Sequence, residues 1–206
     1  DITTYELIAG DATPEEAIQT TNVENLWIIP ATTDLSSADI ELISNEKRSY
    51  LLRDALRQTP MDSFGFEYIL IDCPPSLNIL TVNAMVAADG VVVPLQSEFF
   101  ALEGLSQLML TIRDIRETAN KNLRIEGIAL TMYDKRNNLS QQVEADAREN
   151  LGELVFKTVI PRNVRLSEAP SFAAPVLTYD PTSKGSLAYR ALAKELLKNN
   201  EILRNG

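Results

Sequence analysis

The run Tyr68-Ile69-Leu70-Ile71-Asp72-Cys73-Pro74-Pro75-Ser76 constrains the fold more than any other segment. Its apolar start, without polar alternation, predicts a strand covered on both faces, as in the interior of a parallel sheet. The prolines that follow cannot continue a ladder, so the predicted strand ends on Asp72. A carboxylate at the carboxyl edge of such a sheet stands where α/β proteins hold ligands, magnesium-bound phosphates included. A plainer reading also fits: Asp72 ends a core strand and accepts from nearby N–H groups, as Asp does at turns. Cys73 reads as a small buried residue.

Elsewhere apolar runs alternate with segments of helical period, without internal repeats or low-complexity tracts. That alternation predicts an α/β fold with a mostly parallel sheet and helices on both faces, and the length suits one domain over 1–206, or part of a larger one. Thr13-Pro14-Glu15-Glu16 predicts a helix start, with Thr13 as cap and Glu16 reaching back. Leu26 to Pro30 reads as a short strand and Ser37 to Arg57 as mostly helix. Leu77 to Ala88 is a predicted helix and Gly90 to Leu95 a second buried strand. Leu102, Leu105, Leu108, Ile112 and Ile115 mark one face of a long helix. Ile125 to Tyr133 is a further strand, Ser140 is a candidate helix cap, Val155 to Pro161 is strand-like, and Leu187, Ala191, Leu192 and Leu196 make the last helix amphipathic.

With 206 residues, 45% of them hydrophobic, the chain can bury a substantial core. No apolar stretch reaches the ~20 residues of a membrane span, and no signal-peptide pattern opens the sequence, so a soluble intracellular protein is expected. There is no histidine and only one cysteine, which removes zinc sites, histidine-based catalysis and internal disulfides. A net charge of -10 argues against coating a nucleic acid wholesale, so any such contact must be a local patch.

Loops after three predicted strands form a second signal: Leu95 to Leu105, Tyr133 to Leu139 and Pro161 to Pro170. If the strands are parallel, these loops share one edge with Asp72. Each has a bland alternative: Asp134 and Asn137 as turn formers, Arg136 and Arg165 as solvated charges, the prolines as terminators.

Taken in order, Thr21 to Leu26 with Ile29 to Thr32, Ala38 to Leu42, Ile69 to Ser76, Ala101 to Gln107, Leu130 to Asp134 with Asn138 to Val143, Ile160 to Ser171 and Tyr179-Asp180-Pro181 resemble the ParA/Soj family of chromosome- and plasmid-partition ATPases, deviant Walker ATPases of P-loop NTPase type. The resemblance implies an ATP-switched homodimer that binds DNA non-specifically, is released by hydrolysis that a ParB-type protein stimulates, and works in the cytoplasm on the nucleoid without a membrane. It implies that Asp72 acts on Mg²⁺ through a bound water and that Pro74, Pro75 and the residues to Asn78 form a switch sensing the γ-phosphate. Thr131, Met132, Pro161, Arg162 and Asn163 match loops around the adenine end of ATP. Arg136 and Arg165 match basic DNA-binding positions.

One departure is large: no G-x-x-x-x-G-K followed by Ser or Thr occurs in the chain. The resemblance therefore predicts an amino-terminally truncated copy lacking the P-loop and first strand, with no complete catalytic set and doubtful ATP and Mg²⁺ binding of its own. A MinD-like membrane-cycling ATPase is the first alternative, though the polar tail Lys198 to Gly206 makes a poor anchor. A non-enzymatic regulatory module is the second.

Overall fold

The structure, a computed structural model, describes residues 2–98 and 101–205, so Phe99 and Phe100 of the loop after Leu95 and the terminal Asp1 and Gly206 lie outside the described residues. The chain divides into one unit of Asp1–Asp89 with Thr111–Leu123 and another of Gly90–Leu110 with Arg124–Gly206.

In the first unit, α1 (Thr4–Ala9) opens on a capping box: Thr3 Oγ1 accepts from the Tyr5 N–H at 3.2 Å and Glu6 accepts from the Thr3 N–H at 2.8 Å. Gly10, at φ 84°, closes it. The predicted Thr13 start opens α2 (Pro14–Ala17), with Glu16 accepting from the Thr13 N–H at 2.9 Å. β1 (Gln19–Thr20) and β2 (Trp27–Ile28) form a short antiparallel ladder.

The helix expected over 37–57 is broken. A 3₁₀ turn leads into α3 (Ala38–Glu41), a second 3₁₀ turn ends at Ser44, and the helix resumes only at α4 (Leu51–Leu56). Asn45 is the breaker: it leaves at ψ 116°, and its side chain accepts from the Lys47 N–H at 2.8 Å, a local bond that competes with the helix. α5 (Thr59–Ser63) and α6 (Ile79–Ala87) follow. Asn78 caps α6 by accepting from the Thr81 N–H at 3.2 Å, and Thr81 donates back to Ser76 O at 2.5 Å. At the other end, Asn120 Nδ2 donates to the Met85 and Ala88 carbonyls at 2.9 and 2.8 Å. Leu7, Ile8, Leu52 and Ala55 form one buried cluster of this unit.

Two expectations fail at the Asp72 segment. Tyr68 to Ile71 forms no strand, and Leu70 is 86% exposed. A strand exists only through a neighbour's hydrogen bonds, and among the described residues none pairs with this run. Cys73 is correspondingly exposed rather than buried.

In the second unit, β3 (Gly90–Gln96) leads through α7 (Ala101–Thr118), whose residues from Thr111 onward belong to the first unit, to β4 (Arg124–Thr131), parallel to β3. This crossover is what a parallel pair requires. The register runs from Gly90 opposite Arg124 to Gln96 opposite Thr131, with one slip between Val91 and Val92. Val93, Leu95, Ile128 and Leu130 meet Leu105 of α7, and Ala147 of α8 (Asn138–Leu151) completes the packing. At Gly127 a Cβ would lie 2.5 Å from the buried Phe156 ring, so only glycine fits there.

Asn137, not Ser140, caps α8, accepting from the Leu139 N–H at 3.0 Å. Ser140 lies inside the first turn, buried, and donates to Ser97 O at 3.4 Å. The strand expected over 155–161 is reduced to parallel bridges, Val155 with Ile128 and Pro161 with Tyr133. The Phe156 and Ile160 N–H groups still donate to the Ile128 and Leu130 carbonyls of β4 at 2.9 and 2.8 Å, but between them a side chain intervenes: Glu195 accepts from the Lys157 and Thr158 N–H groups at 2.6 and 2.9 Å. The chain continues through α9 (Val164–Glu168) and α10 (Val176–Tyr179) to α11 (Lys184–Asn205), which carries Glu195.

Candidate functional site

β3 and β4 end side by side at Gln96 and Thr131, and a cleft of about 690 Å³ opens beyond those ends. The crevice past the carboxyl ends of parallel strands is where open α/β sheets bind ligands. Three loops build it. Ser97 ties the first to the second: its N–H and its hydroxyl each donate to Thr131 O at 3.1 Å. Tyr133 ties the second to the third, its N–H donating to Ile160 O at 3.1 Å and its carbonyl accepting from the Arg162 N–H at 3.0 Å. Between these ties Met132 sits at φ 53°, a left-handed conformation that a non-glycine residue holds only under constraint.

Of the residues singled out from sequence, Met132 and Arg162 line the cleft together with Asp134. Thr131 and Pro161 flank it along the chain. Asn163 is spent on a cap, accepting from the Arg165 N–H at 3.0 Å at the start of α9. Gln96, Ser97 and Glu98, not chosen from sequence, also line the cleft. Their signal was available, since they are the first residues past a buried parallel strand.

The lining mixes apolar Ala101, Met132 and Leu139 with the amides of Gln96 and Asn137. Its charges oppose a polyanion: Glu98 and Asp134 face a single lining arginine, Arg162, whose guanidinium stands 3.8 Å from Glu98. Hydrogen bonds from the Arg136 side chain, then its N–H, hold the Asp134 carboxyl below its ordinary range and, reciprocally, raise Arg136.

Asp72, Pro74 and Pro75 belong to the other unit, and all three are exposed. Asp72 makes no ion pair among the described residues, which hold no group of three or more His, Cys, Asp or Glu fit for a metal. That composition fits Mg²⁺ held by one carboxylate with retained water and phosphate oxygens, and does not fit an all-protein cage. Neither basic position is a free charge. Arg136, with its side chain 91% exposed, lies 3.1 Å from Asp134, while Arg165 lies 2.8 Å from Glu168 and 3.3 Å from Asp180.

The chain is 54% identical over 195 residues to the chromosome partitioning protein ParA of Caulobacter vibrioides, covering 95% of this chain and 73% of that protein. It belongs to the ParA/Soj family. The sporulation initiation inhibitor protein Soj of Bacillus subtilis is 48% identical, over 95% of this chain and 76% of that protein. A family model described as an AAA domain matches residues 1–125. Among solved structures, the cobyrinic acid a,c-diamide synthase of Mycobacterium smegmatis with bound ADP and magnesium superimposes with a TM-score of 0.80 at 34% identity, over 97% of this chain and 73% of that one. The cell division ATPase MinD of Pyrococcus furiosus follows with a TM-score of 0.76 at 26% identity, over 96% of this chain and 76% of that one. The expected α/β architecture of P-loop NTPase type is therefore the fold of this ParA/Soj-family chain. Among the described residues no helix is long and apolar enough to cross a membrane.

Proposed function

We propose that this chain acts as an ATPase domain in chromosome or plasmid partition, switched by ATP and Mg²⁺ between a free form and a homodimer that holds DNA without sequence preference. A ParB-type protein stimulates hydrolysis and release, and the protein resides in the cytoplasm on the nucleoid. The observation that carries this reading is the cleft past β3 and β4, which gathers Met132, Asp134 and Arg162 where a nucleotide base is expected. Thr131, Pro161 and Asn163 hold the surrounding loops in shape. Asp72 receives Mg²⁺ through water, and Pro74 and Pro75 stiffen the segment that reports the γ-phosphate to α6 through the Asn78 cap. When bound, Mg²⁺ offsets the charge of the phosphate oxygens. The lysine loop that cradles phosphates is not among these 206 residues, so hydrolysis is assigned to a protein that carries one and not to this chain alone.

Arg136 and Arg165 make the phosphate contacts to DNA. The test is DNA affinity across a salt series at saturating ATP, with the protein made from its complete reading frame. Replacing both arginines with alanine weakens binding alike on all sequences and flattens the slope of log affinity against log salt, by at most ~0.9 for each phosphate no longer neutralised. Unchanged affinity and slope would remove both residues from the DNA surface. A MinD-like membrane cycle is the competing reading, favoured by the 26% identity to that ATPase, and flotation with anionic liposomes in ATP would reveal it.

A further inference from the structure

Arg165 is more enclosed by carboxylates than a phosphate-binding arginine needs to be. Its Nη1 donates to Glu168 Oε2 at 2.8 Å, and its Nε lies 3.3 Å from Asp180 Oδ2. The Tyr179 hydroxyl also donates to Glu168 Oε2 at 3.3 Å, and the Tyr179 ring stacks on Phe172 at 5.0 Å. Asp180 is fixed in turn, since its carbonyl accepts from the Ser183 N–H at 3.2 Å just before α11. Both carboxylates are therefore held against Arg165 from separate elements, Glu168 on α9 and Asp180 after α10. With one cation against two anions, the local charge is negative, although the position is reserved for a polyanion.

From this geometry we infer that Glu168 and Asp180 set the strength of DNA binding by masking Arg165, acting as tethered counterions that a phosphate must displace. The inference rests on the proposed role of Arg165. A phosphate-binding cation strengthens binding by releasing ions condensed on DNA, and the release follows the net positive charge delivered. A cation held by two carboxylates delivers less than a bare arginine would. Arg165 thus counts for less than one full phosphate contact in the wild type, and removing the carboxylate charges restores it. Exposed pairs of this kind are weak, so each mask lowers affinity only modestly and leaves binding reversible.

The experiment compares wild type, Glu168→Gln, Asp180→Asn, the double carboxamide, and the double carboxamide with Arg165→Ala. All are made from the complete reading frame, with ATP and Mg²⁺ saturating, on a fluorescent duplex of arbitrary sequence across a salt series. Each single carboxamide is expected to tighten binding ~2- to 5-fold at low salt. The double variant steepens the slope by up to ~0.9, and Arg165→Ala in that background cancels both gains. Carboxamides that bind no tighter than wild type, or a gain that survives Arg165→Ala, overturn the masking and leave DNA binding intact. If neither wild type nor any variant binds the duplex, the DNA reading itself fails and the masking falls with it. Thermal melts separate lost folding from lost masking, and each single variant carries the test should the double fail to fold.

Discussion

Replacing Asn83 with alanine should cost this protein about 2–4 kcal/mol, a figure worked from three hydrogen bonds. Asn83 is fully buried on α6. Its Oδ1 accepts from the Leu52 N–H at 3.2 Å, and its Nδ2 donates to Arg48 O at 2.6 Å and Ile79 O at 3.0 Å. The Leu52 bond is buried, and an orphaned N–H there costs ~1–3 kcal/mol. The Arg48 carbonyl is only part-buried, so losing its donor adds roughly 0.5–1 kcal/mol. The Ile79 carbonyl keeps its helical partner and adds little. The shift in melting temperature should be roughly 4–16 °C for a chain of this size. The assay is urea and thermal unfolding followed by fluorescence of Trp27, the sole tryptophan and in the same unit as Asn83. Ser106→Ala, which removes an exposed bond to Leu102 O, is the control and should stay within ~0.5 kcal/mol. An Asn83→Ala loss no larger than that control would refute the argument.

Further outcomes follow from the same interactions. Isothermal titration of this chain with ATP and Mg²⁺ should show no tight site, because two carboxylates and one paired arginine line the cleft and no lysine loop is present in its sequence; a micromolar site abolished by Asp72→Ala would contradict this. Burial pushes the Glu195 carboxyl up, but hydrogen bonds from Lys157 and Thr158 outweigh it and hold the folded value below the ordinary one. A depressed carboxylate stabilises above its unfolded value and loses that stability as pH falls through the folded value. Glu195→Gln should therefore lower the melting temperature at pH 7 and flatten the decline below about pH 4.5, and a decline as steep as wild type would exclude Glu195 as its source.

What the sequence revealed was whatever its own residues decide. β3, α7 and β4 follow from apolar runs and a helical period, and the Thr13 box is complete within four residues. Failures fall where a distant partner decides. Tyr68 to Ile71 has strand composition, but composition cannot supply a hydrogen-bonding neighbour. Val155 to Pro161 has its ladder interrupted at Lys157 and Thr158 by Glu195, a residue that helical patterning treats as an ordinary solvated charge. The break at Asn45 was legible in principle, as Asn bonds its own backbone readily, but the apolar spacing on either side outweighed it. The same division holds at the site. Met132 and Arg162 were found through family resemblance, while Ser97, which binds two loops together through Thr131 O, carries no motif.

On the proposed reading an acidic protein must hold an acidic polymer, and it does so through a few local charges. A net charge of -10 is an unfavourable field at long range, but at physiological salt it is screened beyond ~8 Å. Contact is then governed by the few groups that reach a phosphate. Arg136 reaches furthest, its side chain almost wholly exposed, yet it carries Asp134 with it in a two-point pair, Nε to Oδ1 and Nη2 to Oδ2, both 3.1 Å. Arg165 carries two carboxylates. Neither pair is buried enough to be strong, and neither arginine is free enough to bind a phosphate at full strength. A contact surface assembled this way holds weakly and gives way to small changes in local charge. On the proposed reading, in which DNA is gripped in one nucleotide state and left in another, that property matters more than affinity.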